Sequence, residues 1–248
     1  RFNQNCTMDE IQSWFNNVMK QYEQWVRMQI GWRETRNYSI RNLDFPFDYR
    51  EGQKQLVTDV YRSILRKKNL FIQAPTGAGK TIATVFPSIK AVGEGLAEKI
   101  FYFTAKTITR TVALQTYKLL VGQGLENKVL VMTAKEKCCL QETMSCNPVD
   151  CIYVKGHFDR VNEAVFDMIN NERVYTKEVI EEYARKHQVC PFEMGLDASL
   201  WADAIICDYN YVFDPNVYLK RFFEDGVKGD YIFLVDEAHN LVDRGRSM

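Results

Sequence analysis

A glycine-rich loop that follows an apolar segment and precedes a helical pattern constrains the fold of this chain more than any other feature. The loop, residues 74–81, reads Ala-Pro-Thr-Gly-Ala-Gly-Lys-Thr, and the apolar segment before it covers residues 70–73. Gly77 and Gly79 let the backbone curl so that successive N–H groups point at phosphate oxygens. We call residues 74–81 the phosphate loop, because an accidental glycine-rich turn is a poor alternative in this context.

The residues that end this loop, together with a distant acidic pair, supply the chemistry of a magnesium–nucleotide site. Lys80 can reach the β and γ phosphates of ATP, and the Thr81 hydroxyl can bind Mg²⁺. A second apolar run, residues 231–235, ends at Asp236 and Glu237. We expect Asp236 to hold Mg²⁺ and Glu237 to polarise the attacking water. Acidic pairs after strands are often solvated, but this one complements the phosphate loop.

Short apolar runs alternate with stretches of helix length along most of the chain. Five runs are predicted as buried strands, at residues 70–73, 99–104, 128–132, 203–207 and 231–235. Strands that alternate with helices favour a parallel sheet covered by helices on both faces. With 46% hydrophobic residues among 248, the chain can bury a substantial core. The predicted fold class is therefore α/β, built on a P-loop parallel sheet flanked by helices.

Residues 1–44 are predicted to form an N-terminal amphipathic helix and a linker. Thr7 and Glu10 have capping-box spacing, and an apolar stripe follows them at a helical period. The stripe consists of Ile11, Trp14, Phe15, Val18, Tyr22, Trp25, Val26 and Gln29. We expect this helix to pack on a domain face, or to be the tail of an upstream domain. The second reading fits a chain that begins with Arg1 and is expected to be a piece of a longer protein.

Charge and cysteine content limit the partners and the compartment. Lys plus Arg and Asp plus Glu both number 32, so contact with nucleic acid requires a local basic patch. No apolar run is long enough to cross a bilayer and no secretory signal is visible, which favours a cytoplasmic protein. In such a protein, seven cysteines indicate metal binding or catalysis more than disulfides.

Five of the seven cysteines fall in residues 134–200, a segment too long for a simple crossover between strands, and four of them are candidate ligands. Cys139, Cys146, Cys151 and Cys190 give the pattern C-x6-C-x4-C-x38-C. Three close thiols and one that returns after a helical excursion can form a metal cage. The spacing alone leaves zinc, an iron–sulfur cluster and unligated core cysteines open. We predict a small, mostly helical inserted domain here, within an ATP-binding lobe of residues 45–133 and 201–248.

Basic and aromatic residues alternate just after the third of these cysteines. Lys155 and Arg160 lie close in sequence to Tyr153 and Phe158. Single-stranded DNA is bound by such combinations, in which cations meet phosphates and rings stack on bases. A solvated helix start explains the same charges equally well.

Several motifs resemble those of the XPD/DinG branch of the superfamily 2 DNA helicases. The box Asp-Glu-Ala-His at residues 236–239 is followed by Asn240, as in that branch. Residues 103–107 occupy the place of the motif that meets the DNA backbone, and residues 204–215 resemble the strand and segment before the box. The resemblance covers about residues 45–245.

This resemblance implies a RecA-like lobe and a set of nucleotide-binding residues. Phe45-Pro-Phe47, followed by Tyr49, Arg50 and Gln53, resembles the element that grips adenine, with Gln53 as the base reader. The ATP-binding set is then Arg50, Gln53, Pro75, Thr76, Gly77, Ala78, Gly79, Lys80 and Thr81. Mg²⁺ is assigned to Thr81 and Asp236, and catalysis to Lys80, Asp236 and Glu237.

The resemblance also implies a metal cofactor and DNA contacts. In this branch a four-cysteine [4Fe–4S] domain lies before the Asp-Glu-Ala-His strand, where Cys139, Cys146, Cys151 and Cys190 fall. Cys139 is preferred over Cys138 as the first ligand because an apolar residue follows it, as in the family. The predicted DNA contacts are Thr104, Lys106, Thr107, Lys155 and Arg160.

The function implied is ATP-driven movement on single-stranded DNA and separation of forked duplexes, mostly 5′ to 3′, in DNA repair or replication. The chain stops before a second RecA-like lobe, so we expect it to bind ATP but to hydrolyse little and unwind nothing by itself. Two alternatives remain. One is a nucleotide-switched DNA-binding module with a structural zinc, and the other is the helicase part of a helicase–nuclease.

Overall fold

A computed structural model describes residues 5–75, 77–105 and 107–247, without the side chains of residues 107, 108 and 247. The strands are β1 (Lys99–Thr104), β2 (Val129–Val131), β3 (Val174–Tyr175), β4 (Ala204–Asp208) and β5 (Tyr231–Val235). The helices are α1 (Met8–Arg41), α2 (Gln53–Leu65), α3 (Lys80–Gly93), α4 (Thr107–Gly122), α5 (Lys135–Cys138), α6 (His157–Asn171), α7 (Lys177–His187), α8 (Pro191–Ala198), α9 (Asn210–Phe213), α10 (Lys220–Phe223) and α11 (Asn240–Ser247).

The strands form one parallel sheet in the order β3-β2-β4-β1-β5. Successive side chains of a strand point to opposite faces, and β1 shows the consequence. Phe101 and Phe103 enter a core shared with α6, α7 and α8, whereas Ile100 and Tyr102 enter a second core with α3 and α4. Both faces of the sheet are therefore covered by helices, which confirms the predicted α/β fold class.

Four of the five predicted strands are confirmed, as β1, β2, β4 and β5. The prediction for residues 70–73 is wrong, because the structure assigns no strand there and Phe71 is 92% exposed. The residues just before this segment lie near the start of β5, since Lys67 Nζ is 3.2 Å from an Asp230 carboxylate oxygen. An apolar run becomes a strand only with a hydrogen-bonded partner, and the described sheet ends at β5 without including these residues.

The fifth strand, β3, comes from the cysteine-bearing segment. A two-residue strand leaves no periodic signal, so the sequence does not predict it. Val174 pairs with Val129 and Tyr175 with Leu130, and α6, α7 and α8 bury apolar side chains in the same core as Phe101. The segment thus packs on the sheet itself, while its limits at residues 134 and 200 stay a prediction.

The N-terminal helix is confirmed, with the reciprocal Thr7–Glu10 capping box in place. Its 34 residues make a rod about 51 Å long. Trp25 packs against Phe166 and Trp201, with ring centroids 5.0 and 4.4 Å apart. The apolar stripe before Trp25 is exposed, so the expected packing on a domain face is confirmed only for the C-terminal half. Within the described part of the chain, no helix has the length and apolar character needed to cross a membrane.

Candidate nucleotide-binding site

The phosphate loop leads directly into α3, whose first residue is Lys80. Gly77 and Gly79 have φ angles of 83° and 72°, in the left-handed region that glycine adopts without strain. A Cβ atom at Gly79 would also lie 2.4 Å from Nε2 of Gln53, so the end of that side chain would have to shift. The backbone conformation of the turn is therefore what favours glycine at both positions.

The Lys80 ammonium group lies over the phosphate loop. It donates hydrogen bonds to the carbonyl oxygens of Ala74 at 2.8 Å and Pro75 at 3.0 Å. The N–H of Ala78 also donates to the Pro75 carbonyl, at 3.3 Å. These bonds curve the loop around the ammonium group. The positive charge of Lys80 and the positive N-terminal end of α3 therefore lie together at the phosphate loop. An anionic phosphate group complements that region.

Arg50 and Gln53 brace the phosphate loop from the side of α2. The Arg50 guanidinium donates to the Gly77 carbonyl. Gln53 is 4% exposed. Its side-chain Nε2 donates to the Gly79 carbonyl at 3.4 Å, and its Oε1 accepts from the backbone N–H of Arg50 at 3.1 Å. Both residues therefore contact the loop, as expected of the ATP-binding set. In this structure the Gln53 amide is engaged with the loop backbone, and base reading stays a prediction.

Asp236 lies at the carboxyl end of β5, beside the phosphate loop. The Tyr209 hydroxyl donates to its backbone carbonyl, and the Tyr102 side chain lies close to its carboxylate. Burial raises the pKa of Asp236, and the neighbouring charge of Glu237 acts in the same direction, whereas Lys80 lowers it. A cation bound at this carboxylate would favour its charged form.

Thr81, the other expected Mg²⁺ ligand, lies in the first turn of α3. Burial raises the pKa of Tyr102, the Asp236 charge acts in the same direction, and Thr81 lowers it. The side chains of Thr81 and Asp236 are thus both near Tyr102, although they come from distant parts of the chain.

Glu237 has a backbone conformation that side chains rarely adopt. Its φ angle is 52°, and such a residue stores about 1–3 kcal/mol of strain. Its carbonyl accepts from the backbone N–H and the side-chain amide of Asn240, at 2.9 and 3.0 Å. The carboxylate is exposed and lies 3.5 Å from His239 Nδ1. The turn thus presents Glu237 to the outside of the site, where a water molecule can reach it.

Tyr102 and Tyr209 are site residues that the sequence analysis missed. Tyr209 has a signal, because it lies in the segment 204–215 that precedes the Asp-Glu-Ala-His box. Tyr102 has only the alternation of β1, which places it on the face of α3. Its contact with Asp236 depends on the register of β1 against β5, in which Tyr102 pairs with Leu234.

Lys155 and Arg160, the two predicted DNA contacts near α6, differ in exposure and in hydrogen bonding within the protein. Lys155 is exposed. Arg160 donates to the carbonyl oxygens of His187, Lys155 and Gln188, at 3.0, 2.7 and 2.6 Å. Its guanidinium therefore joins the start of α6 to the end of α7, and Lys155 is the more accessible cation for DNA.

The predicted DNA contacts near β1 are only partly described. Thr104 is fully buried, and its role as a DNA contact stays a prediction. Lys106 lies outside the described residues, as do the side chain of Thr107 and, in the phosphate loop, Thr76.

The four predicted cluster ligands lie in one part of the fold but do not converge. Their exposure differs, with Cys151 buried, Cys139 and Cys190 half-buried and Cys146 exposed. In the described ranges, no three His, Cys, Asp or Glu side chains are placed to hold a metal ion.

Some of these thiols are nevertheless near one another. Cys146 and Cys190 both act on the pKa of Lys135, so all three side chains lie in one neighbourhood. Burial raises the pKa of the Cys138 thiol to about 12, and the nearby Cys190 acts in the same direction. Such a thiol is disfavoured from ionising.

Comparison with known proteins gives one consistent result. The DEAD_2 family model matches residues 95–248. The chain is similar to regulator of telomere elongation helicase 1 from Homo sapiens, at 23% identity over 80% of this chain and 20% of that protein. It is also similar to the general transcription and DNA repair factor IIH helicase subunit XPD from Arabidopsis thaliana, at 22% identity over 79% of this chain and 30% of that protein.

Solved structures agree with the fold. An XPD helicase superposes with a TM-score of 0.55 at 18% identity, covering 81% of this chain and 34% of that chain. A truncated XPD gives a TM-score of 0.51 at 17% identity, covering 76% of this chain and 53% of that chain. The chain therefore spans between a fifth and about half of the length of these relatives.

Proposed function

Because the chain belongs to the DEAD_2 family, we propose that it is the ATP-binding lobe of an ATP-dependent DNA helicase. The observation that carries the proposal is the position of Asp236 at the end of β5, close enough to the phosphate loop for the Lys80 charge to lower its pKa. A phosphate loop next to a carboxylate that ends a neighbouring strand provides both halves of a Mg·ATP site. The proposed substrates are ATP, single-stranded DNA and forked duplex DNA.

The side chains divide the work of ATP hydrolysis. Lys80 and the N-terminus of α3 bind the β and γ phosphates. Thr81 and Asp236 would hold Mg²⁺, which neutralises phosphate charge when bound. Glu237, exposed at the strained turn, accepts a proton from the attacking water. We propose that a second RecA-like lobe closes over this face and converts hydrolysis into movement along DNA.

The proposed DNA path rests on family membership and on accessible cations. Lys155 is exposed, and cations of this kind bind phosphates without regard to sequence. Lys106 and Thr107 remain in the proposed interface through the resemblance of residues 103–107. Movement from 5′ to 3′ is part of the proposal through the family resemblance of the motifs. A role in DNA repair or replication is also part of it, since both relatives are named as helicases and one as a DNA repair factor.

We also propose a [4Fe–4S] cluster on Cys139, Cys146, Cys151 and Cys190. Thiolate is the donor that such clusters take, and both Cys146 and Cys190 are close enough to Lys135 to act on its pKa. The described thiols do not converge as they stand, so the cysteine pattern supports the cluster and no step of the reaction is derived from it. When bound, a cluster would link the segments that carry the four cysteines.

The test is strand separation by the protein that carries this chain. A forked duplex with a fluorophore and a quencher on opposite strands reports release of one strand. Release that requires ATP and is lost in Glu237→Gln, but not in the exposed control Glu224→Gln, supports the proposal. DNA binding that responds to ATP without any strand release would instead favour the nucleotide-switched binding module.

A further inference from the structure

Tyr209 reaches from the end of β4 to the turn that follows β5. It is fully buried, and its backbone carbonyl accepts from the N–H groups of Val212 and Phe213, both at 3.0 Å, which fixes it at the start of α9. Its hydroxyl donates to the backbone carbonyl of Asp236. A buried tyrosine usually finds a hydrogen-bond partner, but this partner belongs to the peptide that joins the two acidic residues of the candidate site.

That peptide sets the backbone conformation of Glu237. The Asp236 carbonyl and the Glu237 N–H lie in one plane, so the plane cannot turn without changing the φ angle of Glu237. This angle is 52°, a strained value that persists only where the surrounding structure imposes it. The Glu237 carbonyl, in the next peptide, accepts from the backbone N–H and the side-chain amide of Asn240. The peptides before and after Glu237 are therefore held by Tyr209 and Asn240, respectively.

The backbone of Asp236 has a second support that does not involve Tyr209. Its N–H donates to the Phe103 carbonyl at 3.0 Å, which continues the pairing of β5 with β1. Loss of the Tyr209 hydroxyl would leave this bond and the phosphate loop in place. The part of the site that depends on the hydroxyl is therefore the turn at Glu237.

We propose that Tyr209 is a positioning residue for Glu237, which it holds in the strained turn through the carbonyl of Asp236. The inference rests on the proposed function, in which Glu237 accepts a proton from the attacking water. Without the hydroxyl, the peptide can rotate and the φ angle of Glu237 can relax, which moves the carboxylate away from the water. A misplacement of about 1 Å can cost about 100-fold in rate. The alternative is a tyrosine that only fills the core.

Tyr175 provides a matched control. It is a fully buried tyrosine in the same hydrophobic core as Tyr209, on the strand at the opposite edge of the sheet from β5. Its hydroxyl has no hydrogen-bond partner in the part of the chain that the structure describes. Tyr175→Phe therefore removes a buried hydroxyl from this core without touching the turn at Glu237.

The experiment uses the protein that carries this chain, with single-stranded DNA present. It measures the rate of ATP hydrolysis in a single turnover and the affinity for a fluorescent ATP analogue. Tyr209→Phe is expected to lower the rate by about 10–100-fold. Its affinity for the analogue should equal that of the wild type, because Lys80 and the phosphate loop keep their contacts. Tyr175→Phe should behave as the wild type in both measurements.

A double variant separates a role through Glu237 from a general defect. Glu237→Gln removes the base, so adding Tyr209→Phe to it should slow hydrolysis no further. The positioning role would be overturned by an unchanged rate in Tyr209→Phe, by a further loss in the double variant, or by lost analogue binding in Tyr209→Phe. A wild-type protein that binds the analogue but hydrolyses no ATP on DNA would overturn the proposed function, and this inference with it.

Discussion

Replacing Asp203 with asparagine is expected to destabilise the lobe, because this carboxylate anchors α1 to the sheet. Asp203 immediately precedes β4, and its side chain is 6% exposed. Its Oδ1 accepts from Arg36 Nη1 at 2.7 Å. Its Oδ2 accepts from Trp32 Nε1 at 3.0 Å and from the Lys128 backbone N–H at 2.9 Å. Donors from α1 and from the residue before β2 therefore converge on one buried charge.

The magnitude follows from what an asparagine amide can do in that place. Only one of its two terminal atoms accepts hydrogen bonds, so its NH₂ group faces at least one of the three donors. An unpaired buried polar group costs about 1–3 kcal/mol. Arg36 also keeps a buried charge without a counter-charge, and breaking a buried ion pair from one side costs about 3–5 kcal/mol. Since the two costs overlap, we expect the free energy of unfolding to fall by about 3–5 kcal/mol.

Urea denaturation followed by tryptophan fluorescence measures this loss, and an exposed ion pair gives the control. Asp230 lies 3.2 Å from Lys67, with side chains 65% and 77% exposed. Exposed pairs of this kind contribute about 0–1 kcal/mol, so Asp230→Asn should be nearly neutral. If Asp203→Asn lost no more stability than Asp230→Asn, the buried carboxylate would not be what holds α1 on the sheet.

Two further predictions concern a buried cation and the cysteines. Burial lowers the pKa of Lys99 to about 8, so wild-type stability gains as pH rises from about 8 toward the ordinary lysine value of about 10.4. The destabilisation by Lys99→Met, measured by urea at about pH 7 and about pH 10, should therefore grow with pH, and equal values would contradict the assigned shift. Cys190→Ser should lower the iron and sulfide content of protein purified without oxygen, whereas Cys6→Ser should not. A wild-type protein that contains zinc and no iron would refute the cluster.

The parts of the fold that could be predicted are those determined by residues close together in the sequence. The strands β1 and β5 follow from apolar runs that match their bounds, and the start of α1 follows from the Thr7–Glu10 capping box. The prediction of a strand at residues 70–73 was wrong because an apolar run is a local signal. Forming a strand there would also require hydrogen bonds to a neighbouring strand, such as β5 at the edge of the sheet. The predicted packing of the N-terminal half of α1 was not confirmed, for a related reason. An apolar stripe shows that a helix is amphipathic, but it does not show which element covers the stripe.

The candidate site divides in the same way. The positions of Lys80 and Asp236 follow from short motifs, because a loop or a strand end places its own side chains. Tyr102 could not be predicted, since its contact with Asp236 requires the register of two parallel strands that are far apart in sequence. Thr104 was assigned to DNA from its motif, and the structure buries its side chain because helices cover both faces of the sheet at β1. What packs on each face of a strand depends on the tertiary structure, which a motif does not report.

The most direct test of the account is isothermal titration of this chain with Mg·ATP, compared with Lys80→Ala. We predict binding of one nucleotide per chain, with an affinity that falls at least about tenfold, or about 1.4 kcal/mol, in the variant. The thermal unfolding midpoint should stay close to that of the wild type, because the hydrogen bonds described for the Lys80 ammonium group go to carbonyls of the loop and not to the core. Equal affinity for Mg·ATP in the two proteins would contradict the account, since the phosphate loop would then not be where the nucleotide binds.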